Sequence, residues 1–566
     1  MRCVYHASTE VIGIGEEGLR NVSDEFVNRS RLAAPLAMFL VLFSACDANK
    51  QIQMPENGES DDRPNIIFLL ADDQRGGTTS AENHPHIVTP NLDTLSQNAV
   101  VFSNAYSVQP ICAPSRFAIF SGQYERTNGL GFNSPYRVTE AQWENTYPAL
   151  LRKAGYHTGF VGKFGVEFYT FRGRTQDKFD YWRGHDGWLS FFPKDNPEST
   201  SITAYAGAEH VISTEIMGEY IEEFLDNLPH NKPFNLSVSF SAPHGSVTSS
   251  MYLDADTSDC TTVQCEKMGT PANRNPRIAD HPIYGDLYRD RQISVPDDLD
   301  KSPYHYLPRE VIGHQKRKQW YSYLYDKETN PEHSIRYFQL ITGIDKVVGQ
   351  LLEKLQEKDL RDNTIIIYSS DHGLLTGEYG VGGKSLLYDL SARVPLIVAG
   401  PGTSEHINTD ALVTNVDIAP TILSYAGVDV PVTMQGKDLR ALIVNPQTEW
   451  RSEIFIESLT TIEDQTMSEA LRTKEWKYIR YFADKKCPYN ESDLDFAEQT
   501  PVFEQLFDLR KDPGERTNLV NHSEAADVLA GMRQRTSRHS IQLTEQSRAY
   551  KNSIELAARP AGEGCW

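Results

Sequence analysis

Pro64-Asn65-Ile66-Ile67-Phe68-Leu69-Leu70-Ala71-Asp72-Asp73-Gln74 is an unbroken apolar run that ends abruptly in two carboxylates. A run without apolar–polar alternation suits a strand buried on both faces, as in the interior of a parallel sheet. Gly76-Gly77 then supplies a turn. The same texture returns downstream. Residues 147–154 predict a helix stopped by Gly155, and residues 158–162 predict a strand leading into Lys163. Residues 234–240 predict another, leading into Ser241-Ala242-Pro243-His244. Between residues 333 and 358, Ile335, Phe338, Ile341, Ile344, Val348, Leu351 and Leu355 fall at helical spacing. A strand at 364–370 follows and runs into Asp371-His372-Gly373, and residues 394–400 predict one more. Helices alternating with apolar strands predict an α/β fold, with a mainly parallel sheet sandwiched by helices.

Four polar clusters each follow the C-terminal end of a predicted strand: Asp72-Asp73, Lys163, His244 and Asp371-His372. In open α/β sheets that edge is where ligands bind. Beyond about residue 440 the texture changes. Residues 454–457, 476–482 and 503–509 alternate like antiparallel strands, which predicts a smaller C-terminal α+β subdomain. The expected organisation is a leader over 1–46, a polar linker over 47–62, a catalytic domain over 63–440 and the subdomain over 441–566.

The chain has 566 residues, 39% apolar and 23% charged, a composition that excludes disorder as the default. Its net charge of −22 makes it a poor partner for nucleic acid or anionic membrane. An anionic substrate would need cations gathered at its site, as a metal or as placed Lys and Arg. Near the N-terminus, Arg29-Ser30-Arg31 precedes an apolar run over 32–45, and small residues precede Cys46. That is an export signal, too short for a membrane-spanning helix. Phe43-Ser44-Ala45-Cys46 resembles a bacterial lipoprotein box. The expectation is an exported protein of the periplasm or cell surface, with two readings open: a lipid anchor at Cys46 as its one membrane contact, or an ordinary secretory signal in which Cys46 is incidental. Of seven cysteines, Cys3 and Cys46 lie in the leader and Cys112 carries chemistry. Cys260, Cys265, Cys487 and Cys565 remain, an even number that permits two disulfides outside the cytoplasm. The pairing expected is Cys260 with Cys265 and Cys487 with Cys565, with other pairings open.

Cys112-Ala113-Pro114-Ser115-Arg116 opens a predicted helix that runs toward Gly122. Pro is tolerated in a first helical turn, where its missing N–H has no intrahelical partner to lose. Cys112 then sits at a helix N-terminus, where backbone N–H groups and the dipole favour anions. With Ile119-Phe120-Ser121-Gly122, this run resembles the signature of the formylglycine-dependent sulfatases. The resemblance extends to Pro64-Asn65-Ile66 through Asp72-Asp73, to Ser370-Asp371-His372-Gly373, Gly377-Glu378 and Gly383-Lys384, and to Asp417-Ile418-Ala419-Pro420-Thr421. It also covers Leu506-Phe507-Asp508-Leu509, Asp512-Pro513-Gly514-Glu515 and Asn518-Leu519.

The resemblance implies an alkaline-phosphatase-like fold and a sulfuric ester hydrolase acting on a sulfated carbohydrate. It implies that Cys112 is oxidised to formylglycine by a maturing enzyme, and that one hydroxyl of its hydrate attacks sulfur while the other later expels sulfate. Asp72, Asp73, Asp371 and His372 would coordinate one divalent metal together with the residue-112 oxygen. Carboxylate oxygens favour a hard cation, here taken as calcium. Arg116 would hold the hydrate, Lys163 and Lys384 would contact the sulfate, and His244 would protonate the leaving oxygen. One departure stands out. The family often shows Gly-Lys-Trp-His, but this chain has Gly162-Lys163-Phe164-Gly165. The missing histidine assists the nucleophile and sulfate release, so His157, His185 or a water become substitutes to test. Two competing readings remain: a phosphodiesterase or phosphonate hydrolase of the same superfamily, and a non-catalytic binder of sulfated glycans.

Overall fold

The structure, a computed structural model, describes residues 61–132, 136–166, 175–185, 213–244, 287–313, 315–325, 327, 330–403, 405–483, 495–496, 499–554 and 557–558. The expected leader, Cys46, most of the linker, and Cys260, Cys265, Cys487 and Cys565 lie outside these residues. Among the described residues no helix is long and apolar enough to cross a membrane.

Eight strands form the central sheet: β1 (Asn65–Asp72), β2 (Ala99–Phe102), β3 (His157–Lys163), β4 (Tyr181–His185), β5 (Phe234–Pro243), β6 (Thr364–Ser370), β7 (Leu396–Ala399) and β8 (Ile407–Thr409). Their spatial order is β8-β2-β7-β6-β1-β5-β3-β4. Only β7 runs antiparallel to its neighbours; every other pairing is parallel. The run that predicted a fully buried strand is one, because all eight residues of β1 are buried.

The two-residue period of a strand divides that run between two faces. Ile66, Phe68 and Leu70 pack on one side with Phe117 and Phe120 of helix α1 (Cys112–Ser121) and Tyr147 of α2 (Tyr147–Lys153). Ile67 and Leu69 pack on the other with Met217, Ile221 and Phe224 of α3 (Ser213–Asp226) and Leu340, Ile344 and Leu351 of α4 (Asn330–Glu357). A sheet covered by helices on both faces needs no polar side, which explains the missing alternation.

The C-terminal sheet is antiparallel throughout, in the order β9 (Glu453–Ser458), β10 (Ser468–Thr473), β11 (Trp476–Tyr481), β12 (Phe503–Asp508). Leu471, Tyr478 and Leu506 face Leu529 and Met532 of the long helix α5 (Ala526–Ser553). Ile454, Ile456, Ala470, Ile479 and Phe507 face Tyr379, Leu386, Leu387 and Tyr388. The C-terminal sheet thus packs against the loops that follow β6.

Candidate active site

The four strands β6, β1, β5 and β3 are neighbours in the sheet and parallel. Their C-terminal ends therefore lie side by side, and they deliver Asp371-His372, Asp72-Asp73, His244 and Lys163 to one edge. The fifth contribution comes from α1. Ile111 is its extended N-cap, Cys112 its first residue, and Gly122, in the left-handed conformation, ends it.

The side chains converge on Cys112, whose Sγ marks the place of a formylglycine oxygen. Lys384 Nζ lies 3.0 Å from it, His372 Nε2 3.3 Å and Asp72 Oδ1 3.6 Å. Arg116 is fully buried, with Nε 2.9 Å from Asp371 Oδ2 and Nη2 3.3 Å from Asp72 Oδ2. It also donates to Lys163 O and Ser239 Oγ. Lys163 Nζ pairs with Asp72 Oδ2. Lys384 Nζ is 2.7 Å from Asp73 Oδ1, and His244 Nε2 is 3.7 Å from Asp73 Oδ2. Every residue expected at the site is thus within one cluster.

Asp73 adopts a left-handed backbone conformation, φ +69°, which costs energy for a residue with a Cβ. Its surroundings hold it there. Its N–H donates to Asp371 Oδ1 at 3.1 Å, and its carbonyl accepts from Tyr337 Oη at 2.7 Å. The same hydroxyl accepts from Arg75 N at 3.0 Å. The kink turns two consecutive residues, Asp72 and Asp73, into one pocket, which an extended strand would prevent by pointing them to opposite faces.

The electrostatics match a cation site. Burial pushes the Asp72 carboxyl up, but Lys163, His244 and Arg116 overcome it and hold it well below the usual carboxylate range. Burial raises Asp73, and the nearby Lys384 does not fully offset it. Burial alone would lower His372, yet Asp371 and Cys112 lift it to about 9. The field at His372 therefore favours positive charge. Lys384 is held well above its ordinary value, because Asp73 and Cys112 outweigh its burial. His244 is pushed well below its ordinary value by burial, with Lys384 and Lys163 adding to the effect.

Asp72, Cys112, Asp371 and His372 offer ligand atoms within 4.8 Å of one another, as do Asp72, Asp73, Cys112 and His244. Among the described residues Asp73 Oδ2 is buried and accepts no hydrogen bond. An unsatisfied carboxylate oxygen beside further carboxylates and an imidazole is the donor set of a divalent cation. The residues present fit such a group.

The two substitutes considered for the missing histidine fare differently. His157 begins β3 whereas Lys163 ends it, roughly 20 Å away at about 3.3 Å per residue. It stacks on Phe224 and cannot serve the site. His185 ends β4 in register with Lys163, but it is buried, with Nε2 3.4 Å from Ser241 Oγ. Four supporting residues were not foreseen: Ser239, Tyr337, Arg317 and Glu463. Glu463 accepts the Lys384 N–H at 3.0 Å, and Arg317 donates to Lys384 O at 2.9 Å. Nothing local in the sequence marks them, because each acts across long stretches of chain.

Comparison with known proteins agrees with this geometry. Residues 64–428 match the family model described as Sulfatase, and residues 377–542 match the one described as N-sulphoglucosamine sulphohydrolase, C-terminal. The chain is 27% identical over 541 residues to the N-acetylglucosamine-6-O-sulfatase of Bacteroides thetaiotaomicron, covering 88% of each chain. It is 26% identical to the ulvan-active sulfatase of Formosa agariphila, covering 81% of this chain and 82% of that one. A structure solved in complex with its substrate D-glucosamine-2-N,6-O-disulfate shares the fold, with a TM-score of 0.60 over 87% of this chain and 98% of that one at 24% identity. The phosphonate monoester hydrolase of Agrobacterium radiobacter shares it equally, with a TM-score of 0.60 over 86% and 96% at 19% identity. The fold therefore leaves the ester class open, whereas the family model spans most of the chain and the Cys112 cluster supplies the matching chemistry. The chain belongs to the formylglycine-dependent sulfatase family and is a sulfuric ester hydrolase.

Proposed function

We propose that this sulfatase removes sulfate from a sulfated saccharide outside the cytoplasm, using one calcium ion and a formylglycine made from Cys112 by a maturing enzyme. The observation that carries the reading is the meeting of Asp72, His372 and Lys384 around Cys112 Sγ, within 3.6 Å, at the start of α1. The saccharide follows from relatives named for N-acetylglucosamine and ulvan. Export follows from the leader. The catalytic domain over 63–440 and the subdomain over 441–566 remain the organisation that the change of sheet type supports.

Asp72, Asp73, Asp371 and His372 would hold the calcium. Bound there, it would supply Lewis-acid charge to the sulfate ester. Formylglycine supplies a geminal diol as the nucleophile. Arg116, braced between Asp371 and Asp72 and bonded through Nη1 to Lys163 O and Ser239 Oγ, fixes both carboxylates and keeps only Nη2 to offer to the hydrate. Lys163 and Lys384 offer ammonium groups to sulfate oxygens, and Asp73, which remains after Cys112 is converted, opposes the burial that would lower Lys384. His244 donates the proton to the leaving oxygen. It rests neutral, pushed down first by burial and then by Lys384. An anionic sulfate ester arriving beside it draws its proton affinity back up.

The test is sulfate release from a panel of sulfated mono- and oligosaccharides, run beside 4-nitrophenyl sulfate and 4-nitrophenyl phosphate. The matured enzyme should release sulfate from at least one saccharide, and Cys112→Ala should lose roughly 10⁴-fold or more, as expected for removal of a nucleophile. Faster phosphate release than sulfate release would favour the phosphoester reading. Saccharide binding without any sulfate release would favour the glycan-binding one.

A further inference from the structure

A net charge of −22 repels the very substrates a sulfatase takes. Along residues 301–325 the balance reverses: Lys301, Arg309, Lys316, Arg317 and Lys318 face one acid, Glu310. This segment lies against the loop that carries Lys384. Lys301 O and Pro303 N occupy the space beside Gly380, 2.0 and 3.3 Å from where a Cβ would stand. Arg317, fully buried, donates to Gly382 O at 3.0 Å and to Lys384 O at 2.9 Å. The Tyr321 ring fills the space beside Gly383. Glu463 clamps this buried side, with Arg317 Nη2 at 3.1 Å, Tyr321 Oη at 2.5 Å and Lys384 N at 3.0 Å.

The outer side is different. Lys301, Arg309 and Lys318 are exposed, and among the described residues none of them pairs with a carboxylate. Lys316 by contrast lies 3.8 Å from Asp464. Arg309 sits over the Tyr304 ring at 3.9 Å, and Lys301 Nζ donates to Tyr306 Oη at 3.3 Å. An aromatic face or a neutral phenol oxygen steadies a cation without neutralising it, so its charge stays available to a passing anion.

We propose that residues 301–325 form a docking strap for an extended sulfated polysaccharide, with Lys301, Arg309 and Lys318 receiving sulfate groups that neighbour the ester being cleaved. The proposal rests on the saccharide reading above and narrows it to polymers bearing several sulfates. The buried anchors tie the strap to the Lys384 loop, so polymer held outside is held beside the reacting centre. The sites act by electrostatic attraction and counterion release, which makes them sensitive to salt.

The test compares the full chain with the Lys301→Ala/Arg309→Ala/Lys318→Ala variant. Dextran sulfate and neutral dextran are the binding probes, and 4-nitrocatechol sulfate is a small ester for turnover. Wild type should bind dextran sulfate and not dextran, and its affinity should fall as salt rises. The variant should bind about tenfold more weakly at low salt, with the slope of log affinity against log salt reduced by roughly one per cation removed. Turnover of 4-nitrocatechol sulfate should stay within about twofold of wild type, which also shows that the variant folds. The Lys301→Arg/Lys318→Arg variant should bind like wild type. Wild type that ignores dextran sulfate, or a triple variant that binds it equally well, overturns the strap. Failure of both proteins to hydrolyse any sulfate ester is a separate outcome, which removes the enzymatic reading while the binding result still decides the strap.

Discussion

Gly165 stands where the sulfatase pattern often has a histidine, and its backbone explains why the substitution is not simple. Its φ is +67°, and a Cβ there would meet Arg116 Cδ at 2.8 Å and Arg116 Nε at 3.2 Å. Restoring the histidine would push the arginine that braces Asp72 and Asp371. Gly165→His should therefore lower turnover by about tenfold or more rather than raise it. Gly165→Ala should lose about 1–2 kcal/mol from the left-handed backbone alone, measurable by urea unfolding. Tyr337 is the second residue to probe, since one hydroxyl fastens both sides of the Asp73 kink. Tyr337→Phe should weaken calcium binding by about tenfold in calorimetry. Its melting temperature without calcium should move by only a few degrees. Unchanged affinity would show that the kink holds without it. At this scale Asp72, Asp73, Cys112, Arg116, Lys163, His244, Asp371, His372 and Lys384 were legible, because each sits at a strand end or in a short motif. Tyr337 and Glu463 were not, because their work depends on contacts far apart in sequence.

Among the elements, the central strands announced themselves through unbroken apolar runs, and α4 through its regular stripe. β10 and α5 did not. Ser468-Glu469-Ala470-Leu471-Arg472-Thr473 carries buried charges, Glu469 with Arg126 and Arg480, and Arg472 with Asp389, so its pattern reads as polar. In α5 the buried face includes Thr536, Ser540, Thr544 and Ser547 beside Leu529, Met532, Leu543 and Tyr550. Hydroxyls dilute the apolar stripe there because Arg126 reaches Ser540 and Thr544. The junction between the C-terminal sheet and the catalytic loops is equally polar. Asp389 accepts from Tyr106 Oη at 3.0 Å and Lys477 Nζ at 2.8 Å, and pairs with Arg472 at 3.1 Å. Burial raises its carboxyl, but Arg472 and Lys477 outweigh that and depress it far below the usual range. A depressed carboxyl stabilises the fold fully above its unfolded value near pH 4, and the contribution is lost as pH falls toward the folded value. Asp389→Asn should thus cost about 3 kcal/mol at pH 7, by leaving buried cations underpaired. The gap to wild type should narrow as unfolding is measured at progressively lower pH below 4. A constant gap across that range would contradict the assignment.

For the whole molecule, the sequence carried the α/β class and the edge that gathers the site. It could not carry the sharing of that edge with the C-terminal half, where Glu463 reaches back to Lys384 across 79 residues. Nor did it show how an acidic protein admits an anionic substrate. At the centre Arg116, Lys163 and Lys384 are paired with Asp72, Asp371 and Asp73, so the cations there balance the buried carboxylates, and the proposed strap would add unpaired positive charge outside. The central claim is that Cys112 is the precursor of the nucleophile, and the mass of its peptide tests it most directly. Protein from a host able to mature sulfatases should yield a peptide containing residue 112 that is lighter by roughly 18 Da, the change from a thiol-bearing side chain to an aldehyde. Active protein in which that peptide keeps the mass of cysteine would contradict the account.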